Sequence, residues 1–258
     1  MIEISWQSTR KKSASTVGVV GGLGNVLWQI CGAYACRPDE GHSLRFAAYD
    51  PAAKAAMDGF VKKERCVSAG NGCINPAGYW QNAKWLLPPD TIREHILRES
   101  VTEHACKEVD NFSLIVHVRG GDFLYSPAHR YSRIGQKYID AAIDMLPGIK
   151  HCDVALVTDD LRYAREVFGN RYPVLGDNGD ARVAFHTLCC AKNIVISPGS
   201  SFSWWAAYLG THEHVFFPAQ TWPQDIGALD RDITSCTSGI KLVPDSCKNS
   251  WLVIDGQN

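Results

Sequence analysis

Charge is missing from two long stretches of this 258-residue chain. None lies between Lys12 and Arg37, and none again between Lys192 and Glu213. Each run is long enough to suggest a bilayer span, which needs about 20 apolar residues. The first also imitates a secretory leader, with Lys11-Lys12 ahead of an uncharged run ending in Ala33-Tyr34-Ala35. Both readings fail on the residues inside. Gly18, Gly21, Gly22 and Gly24, with Asn25 and Gln29, interrupt the first run, and Ser197-Pro198-Gly199-Ser200-Ser201 cuts the second. Backbone polar groups opened by such breaks are costly in lipid. The runs therefore read as buried strand–loop–helix turns, and a buried glycine- or serine-rich turn is a candidate ligand site. With no leader and no membrane span read, the expected location is the cytoplasm.

The remaining charge is balanced, 26 Lys plus Arg against 27 Asp plus Glu, for a net charge of −1. That leaves no basic footprint for a nucleic acid, so any phosphate must be met by a few placed groups. At 45% hydrophobic residues the chain can bury a sizeable core, as one large domain or two lobes. Ten cysteines form no Cys-x-x-Cys pair and no zinc spacing, so reduced thiols are the default, with disulfides among Cys66, Cys73, Cys236 and Cys247 left open. The sequon Asn111-Phe112-Ser113 leads straight into an apolar run and carries no expectation of a glycan.

Periodicity and breakers predict the elements. A strand at Val17–Val20 precedes a glycine turn and a helix from about Val26 to Cys36, and residues 42–75 read as irregular. A helix is expected from Pro89 to about Lys107 with Asp90 as its cap. A second series then runs strand Leu114–Val118, helix Gly135–Leu146, strand Asp153–Thr158, helices Leu161–Phe168 and Ala181–Ala191, strand Asn193–Ser197, helix Phe202–Leu209 and strand His214–Phe217. Strands alternating with helices argue an α/β fold with a parallel sheet. The division is a first lobe at 1–110 and a second at 111–258.

Ligands of open parallel sheets gather beyond the carboxyl ends of the strands, and three strand ends here carry chemistry. In Val116-His117-Val118-Arg119-Gly120-Gly121-Asp122, alternation puts His117 and Arg119 on one side. Arg119 suits a bidentate grip on a phosphate, or equally an Arg119–Asp122 salt bridge that closes a turn. In Thr158-Asp159-Asp160 the carboxylates can accept hydrogen bonds from a base or ribose, or cap the helix at Leu161. In Ser200-Ser201-Phe202 a helix start offers an anion site or a plain cap. Gly21-Gly22-Leu23-Gly24 matches a dinucleotide fingerprint only loosely, because Leu27 stands where glycine is needed. Asp230-Arg231-Asp232 follows no apolar strand and reads as a solvated loop. His186 with Cys189 and Cys190, and His212 with His214, lack a third ligand nearby, so no metal site is expected.

In order, these turns resemble the inverting fucosyltransferase family that contains the α-1,2-fucosyltransferases. The matching segments are Gly21 to Asn25 with Gln29, Gly78-Tyr79-Trp80-Gln81-Asn82-Ala83-Lys84-Trp85, His117 to Asp122, Tyr138 to Ile143, Thr158-Asp159-Asp160, and Ser200 to Trp205 with Ala207 and Leu209. The resemblance implies a GT-B-like fold of two Rossmann-type lobes with a cleft between them, an acceptor-side first lobe and a nucleotide-sugar-binding second lobe. It implies an enzyme that moves fucose from GDP-fucose, as donor substrate, to a glycan hydroxyl in α-1,2 linkage, with inversion and without cofactor or metal. It assigns Arg119 to the β-phosphate beside the Ser201 and Phe202 amides, and Ser200 and Gly22 to the substrate. His117 and Asp159 or Asp160 go to the guanosine, Asn25 near the sugar, and Asp122 to the acceptor proton. One departure is Gly120, where the family motif has a second Arg. The alternatives it raises are another GDP-sugar as donor, or a catalytically weakened carbohydrate-binding relative.

Overall fold

Why the first uncharged run folds as a turn is visible in a computed structural model, which describes residues 14–37, 41–68, 81, 85–98, 108–125, 134–176, 179–218 and 251–254. Residues Met1–Thr102 and Glu103–Asn258 form two compact units. In the first, strand β1 (Ala14–Val19) runs through the Gly21-Gly22 turn into helix α1 (Leu23–Ala35), and β2 (Ser43–Ala48) pairs with β1 in parallel. Helix α1 carries no charge because Leu23 to Ala33 are almost all buried, with Trp28 and Ile30 fully so. Gly18 is required by packing: a Cβ there would sit 1.9 Å from the Tyr49 ring. Helix α2 (Pro51–Phe60) is capped by the Asp50 side chain and buries Ala53, Ala56, Met57 and Phe60. Helix α3 is Pro89–His95.

Three local expectations change here. Residues 42–75 are not irregular throughout, since β2 and α2 occupy 43–60. Helix α3 stops at His95 instead of running on toward Lys107, and Ile96 and Leu97 turn away to bond back to Ile92 while Leu97 bridges Val61. Asp90 lies inside the first turn, where it pairs with Arg93 at 2.7 Å, and Pro88 is the cap.

The second unit holds an all-parallel sheet in the order β4-β3-β5-β6-β7. Its strands are β3 (Leu114–Val118), β4 (Val154–Thr158), β5 (Asn193–Val195), β6 (His214–Pro218) and β7 (Trp251–Ile254). Helix α4 (Gln136–Asp144) and α5 (Leu161–Phe168) bury one sheet face, through Tyr138, Ile139, Ala142, Ala164 and Phe168 against Leu114, Val116, Val118 and Leu156. Helix α6 (Ala181–Cys190) packs against β4 and against α7 (Ser201–Leu209). The sheet strands read as continuous apolar runs because both faces are covered. This is a mixed α/β protein with a parallel sheet. No helix among the described residues is long and apolar enough to cross a membrane.

Candidate functional site

Strand order places the site. The chain leaves β3, forms β4 on one side of it, then crosses back to lay β5 on the other side. Between β3 and β5 the connections diverge, and such a switch point opens a crevice beyond the carboxyl ends of the strands. Arg119 follows β3 there, and Ser197 to Ser201 follow β5.

A hydroxyl extends the sheet into this crevice. Register between β3 and β5 ends at Val116 and Val195. Beyond it, the Ser197 hydroxyl donates to the His117 carbonyl and accepts from the Arg119 N–H, both at 2.8 Å. Ser197 therefore fixes the backbone of Arg119, a role that sequence reading missed. Its only signal was a serine closing an apolar strand before Pro198. The Thr158 hydroxyl does the same on the other flank, donating to the Val118 carbonyl at 2.8 Å.

The Arg119 side chain is held on several sides. Its Nη1 donates to Asp159 Oδ2, its Nη2 to Asp122 Oδ1 at 2.5 Å, and its guanidinium carbon lies 5.1 Å from the Phe123 ring centroid. The Gly120 N–H donates to Asp159 Oδ1 at 2.7 Å, so one carboxylate binds both the loop and its arginine. Asp160 caps α5 by accepting from the Tyr163 N–H at 2.9 Å, and the Gly121 N–H also points to it at 3.3 Å. Both uses that the sequence allowed for these groups are thus partly spoken for: Arg119 does bridge to Asp122, and Asp160 does cap its helix. A guanidinium has five N–H donors, and these two ion pairs engage two of them.

Gly120 and Gly121 are glycine for separate reasons. Gly121 has φ +55, a left-handed conformation that costs other residues energy. A Cβ on Gly120 would lie 2.4 Å from the Asp160 Cβ. In this loop conformation, the space for a side chain at 120 is already filled by Asp160.

His117 is 3% exposed, with its Nδ1 buried and without a hydrogen-bond partner and its ring 5.8 Å from Phe202. Burial, aided by the Arg119 charge, pushes its pKa down to about 3, so it is a neutral imidazole. Ser200 caps α7 by accepting from the Ser203 N–H at 3.4 Å, and Gly199 has φ +69. The Ser203 hydroxyl closes the turn from the inside by accepting from the Ser197 N–H at 3.2 Å. Ser201 and Phe202 stand in the first helical turn, where backbone amides face outward along the axis. Tyr138 on α4 reaches the Ile196 carbonyl at 3.5 Å, tying a third motif to the same turn.

Gly22 and Asn25 belong to the first unit. The Gly22 backbone caps α1 without a side-chain bond, and Gly21, with φ +83, donates to Asp50 Oδ2 at 2.8 Å. Buried Gln29 satisfies the turn by donating to the Val20 and Asn25 carbonyls. Gln81 donates to Asn25 Oδ1 at 2.9 Å, which joins two segments that the sequence separates by more than fifty positions. Residues 78–80 and 82–84 of that second segment, and Asp230-Arg231-Asp232, lie outside the described residues, as do Cys73, Cys236 and Cys247. Among the described residues, no three His, Cys, Asp or Glu side chains gather in a way that could hold a metal ion.

An arginine and a helix start follow neighbouring strands at the switch point of a parallel α/β sheet, an arrangement with the chemistry to hold an anion. The sequence profile of glycosyl transferase family 11 matches residues 62–232, and the chain belongs to that family. It is similar to a galactoside 2-alpha-L-fucosyltransferase of Caenorhabditis elegans, 26% identical over 166 residues, covering 50% of this chain and 39% of that protein. It is also similar to the O-antigen biosynthesis glycosyltransferase WbnK of Escherichia coli, 28% identical, covering 50% of this chain and 45% of that protein. The match thus spans less than half the length of these curated relatives. Among solved structures, the fucosyltransferase NodZ from Bradyrhizobium is 14% identical with a TM-score of 0.42, covering 80% of this chain and 95% of that one.

Proposed function

We propose that this chain is a fucosyltransferase that moves fucose from GDP-fucose to a hydroxyl of a glycan acceptor in α-1,2 linkage, with inversion, on a GT-B-like fold. Membership in glycosyl transferase family 11 and the similarity to a galactoside 2-alpha-L-fucosyltransferase and to the glycosyltransferase WbnK support that reading. The observation that carries it is Arg119, held by its backbone at the β3/β5 switch point beside the start of α7.

The reaction breaks the bond between the fucosyl anomeric carbon and the β-phosphate oxygen, and both bonding electrons leave with GDP. The acceptor oxygen attacks the opposite face of that carbon and loses its proton. Charge that develops on the diphosphate is assigned to Arg119 and the Ser201 and Phe202 amides, instead of a metal ion. Asp122, the more exposed of the two carboxylates on Arg119, is assigned the acceptor proton. His117 and Asp159 are assigned to the guanosine, with Asp160 kept on its cap. Ser200 shapes the turn, and Gly22 and Asn25 serve the sugar side.

A panel of nucleotide sugars offered to the purified chain with a galactoside acceptor tests the donor. Transfer from GDP-fucose alone is expected, and turnover of a different sugar in preference would overturn it. A weakened, carbohydrate-binding relative is the second reading, favoured by the Asp160 side chain standing where the family's second arginine would project. GDP binding in titration calorimetry with no transfer to any acceptor would decide for it.

A further inference from the structure

The first unit contains a cavity of about 400 Å³ that the transferase reading does not use. It lies at the end of the β1/β2 sheet where Ala14 pairs with Ser43, opposite the end that leads into the Gly21-Gly22 turn. Four pieces converge on it: Tyr34 and Arg37 from the end of α1, His42 and Ser43 at the start of β2, Arg65 from the short 3-10 turn Lys63–Arg65, and His95 from the end of α3.

Its chemistry is one-sided. No carboxylate occurs among the described residues lining it, and neither Arg37 nor Arg65 pairs with a carboxylate among the described residues. Glu94, beside the lining His95 and 3.8 Å from its ring, is largely exposed. On two of its lining residues a donor is buried without a partner among the described residues, the Tyr34 hydroxyl and the Arg65 Nε. Such groups are rare in native structures, and each costs about 1–3 kcal/mol when nothing accepts from it.

Helix ends account for part of this. Arg37 and His95 follow the carboxyl ends of α1 and α3, where positive groups offset roughly half a negative charge per helix. Among the described lining residues, two guanidiniums exceed that demand. Dipole compensation also leaves the Tyr34 hydroxyl and Arg65 Nε unexplained, because both are donors that need an acceptor. An oxyanion satisfies all of these at once, and guanidinium forks are suited to it. The volume exceeds what a bare ion needs, since a water takes about 30 Å³. Leu44 and Ile96 supply an apolar wall for the remainder.

We propose that this cavity binds a small acidic organic molecule through its phosphate or carboxylate group, held by Arg37, Arg65 and the Tyr34 hydroxyl. The site is separate from Arg119 and does not depend on the transferase reading. The test uses the full chain titrated with inorganic phosphate and, in parallel, with acetate, followed by calorimetry and by thermal melting. Saturable binding of at least one is expected to persist in Arg119→Ala, which removes the other candidate phosphate site, and to weaken at least tenfold when Arg65→Gln or Arg37→Gln is added to that variant. The stronger of the two probes tells a phosphorylated ligand from a carboxylated one. Tyr34→Phe keeps the ring that packs at this wall and is expected to weaken binding about threefold, so the test survives if an arginine variant fails to fold. No saturable response to either anion overturns the proposal, as does binding that Arg37→Gln and Tyr34→Phe leave untouched.

Discussion

Ser197 shows how much one hydroxyl decides at the residue scale. It replaces two ladder bonds where β5 has ended, and its loss would leave the His117 carbonyl and the Arg119 N–H buried without partners. Ser197→Ala is expected to destabilise the chain by about 1–3 kcal/mol in urea unfolding and to cut transfer more than tenfold with Arg119 still present. Arg119→Ala should abolish transfer while leaving the urea midpoint within about 0.5 kcal/mol, since ion pairs this exposed contribute little to stability. Near-normal transfer in that variant sinks the phosphate assignment. Gly120 and Asp160 form a coupled pair. Gly120→Ala forces a Cβ against Asp160 and should cost about 1–3 kcal/mol, and Asp160→Ala should cost about 1 kcal/mol for the lost cap. The double variant is expected to be more stable than the sum of the two predicts, because the collision disappears with the Asp160 side chain. Strict additivity would show that the loop moves aside instead.

Among the elements, α7 is the one whose start matters most. It is buried almost all round, so its orientation is set by packing of Trp204, Trp205 and Tyr208, and its opening turn by Ser200. Ser200→Ala should cost about 1 kcal/mol and weaken GDP binding, measured by unfolding and by titration calorimetry. The elements of the second unit from β3 to β6 were legible in the sequence because their signals agree with one another, whereas β7 (Trp251–Ile254) was not read. β3 and α5 begin and end where periodicity and the Asp160 cap put them. β2 and α2 were hidden for a physical reason. Leu44 and Phe46 alternate with exposed Ser43 and Arg45, yet the strand is short and follows a glycine-marked stretch. The buried face of α2 includes Ala53 and Ala56, which register weakly as apolar although they sit at helical spacing with Met57 and Phe60. The bonds of Ser197 and Gln81 depend on distant strands meeting, which no local pattern encodes. The sequence offered Asp122 as one partner of Arg119, and only geometry could say that Asp159 shares it.

For the molecule as a whole, the buried His117 and the partly buried His212 contribute to acid sensitivity. His117 is held down to about pKa 3 by burial and then by Arg119, and burial also lowers His212. Unfolding restores each toward the ordinary 6.5, so below that value the unfolded chain binds more protons than the folded one. The stabilisation from a neutral imidazole is complete above pH 6.5; for His117 it is lost as pH falls toward 3, and for His212 it is lost below 6.5. Each histidine contributes at most about 1.4 kcal/mol per pH unit in that window. Unfolding free energy is expected to fall from pH 7 to pH 5, and His117→Gln should flatten the slope. An unchanged slope in that variant would assign the acid sensitivity elsewhere.

The pairing of β6 with β7 also has a consequence in time. Val215 to Pro218 form their ladder with Trp251 to Ile254, and Trp251 meets Trp204 edge-on and Phe217 at a tilt, but the intervening sequence must be made first. A ribosome adding about 5–20 residues per second delivers β6 seconds before its neighbour. For that interval a nascent chain has Val215, Phe216 and Phe217 on a strand with one unpaired edge, the situation that invites association with other chains. Until β7 emerges, the open edge of β6 is where a chaperone would be needed.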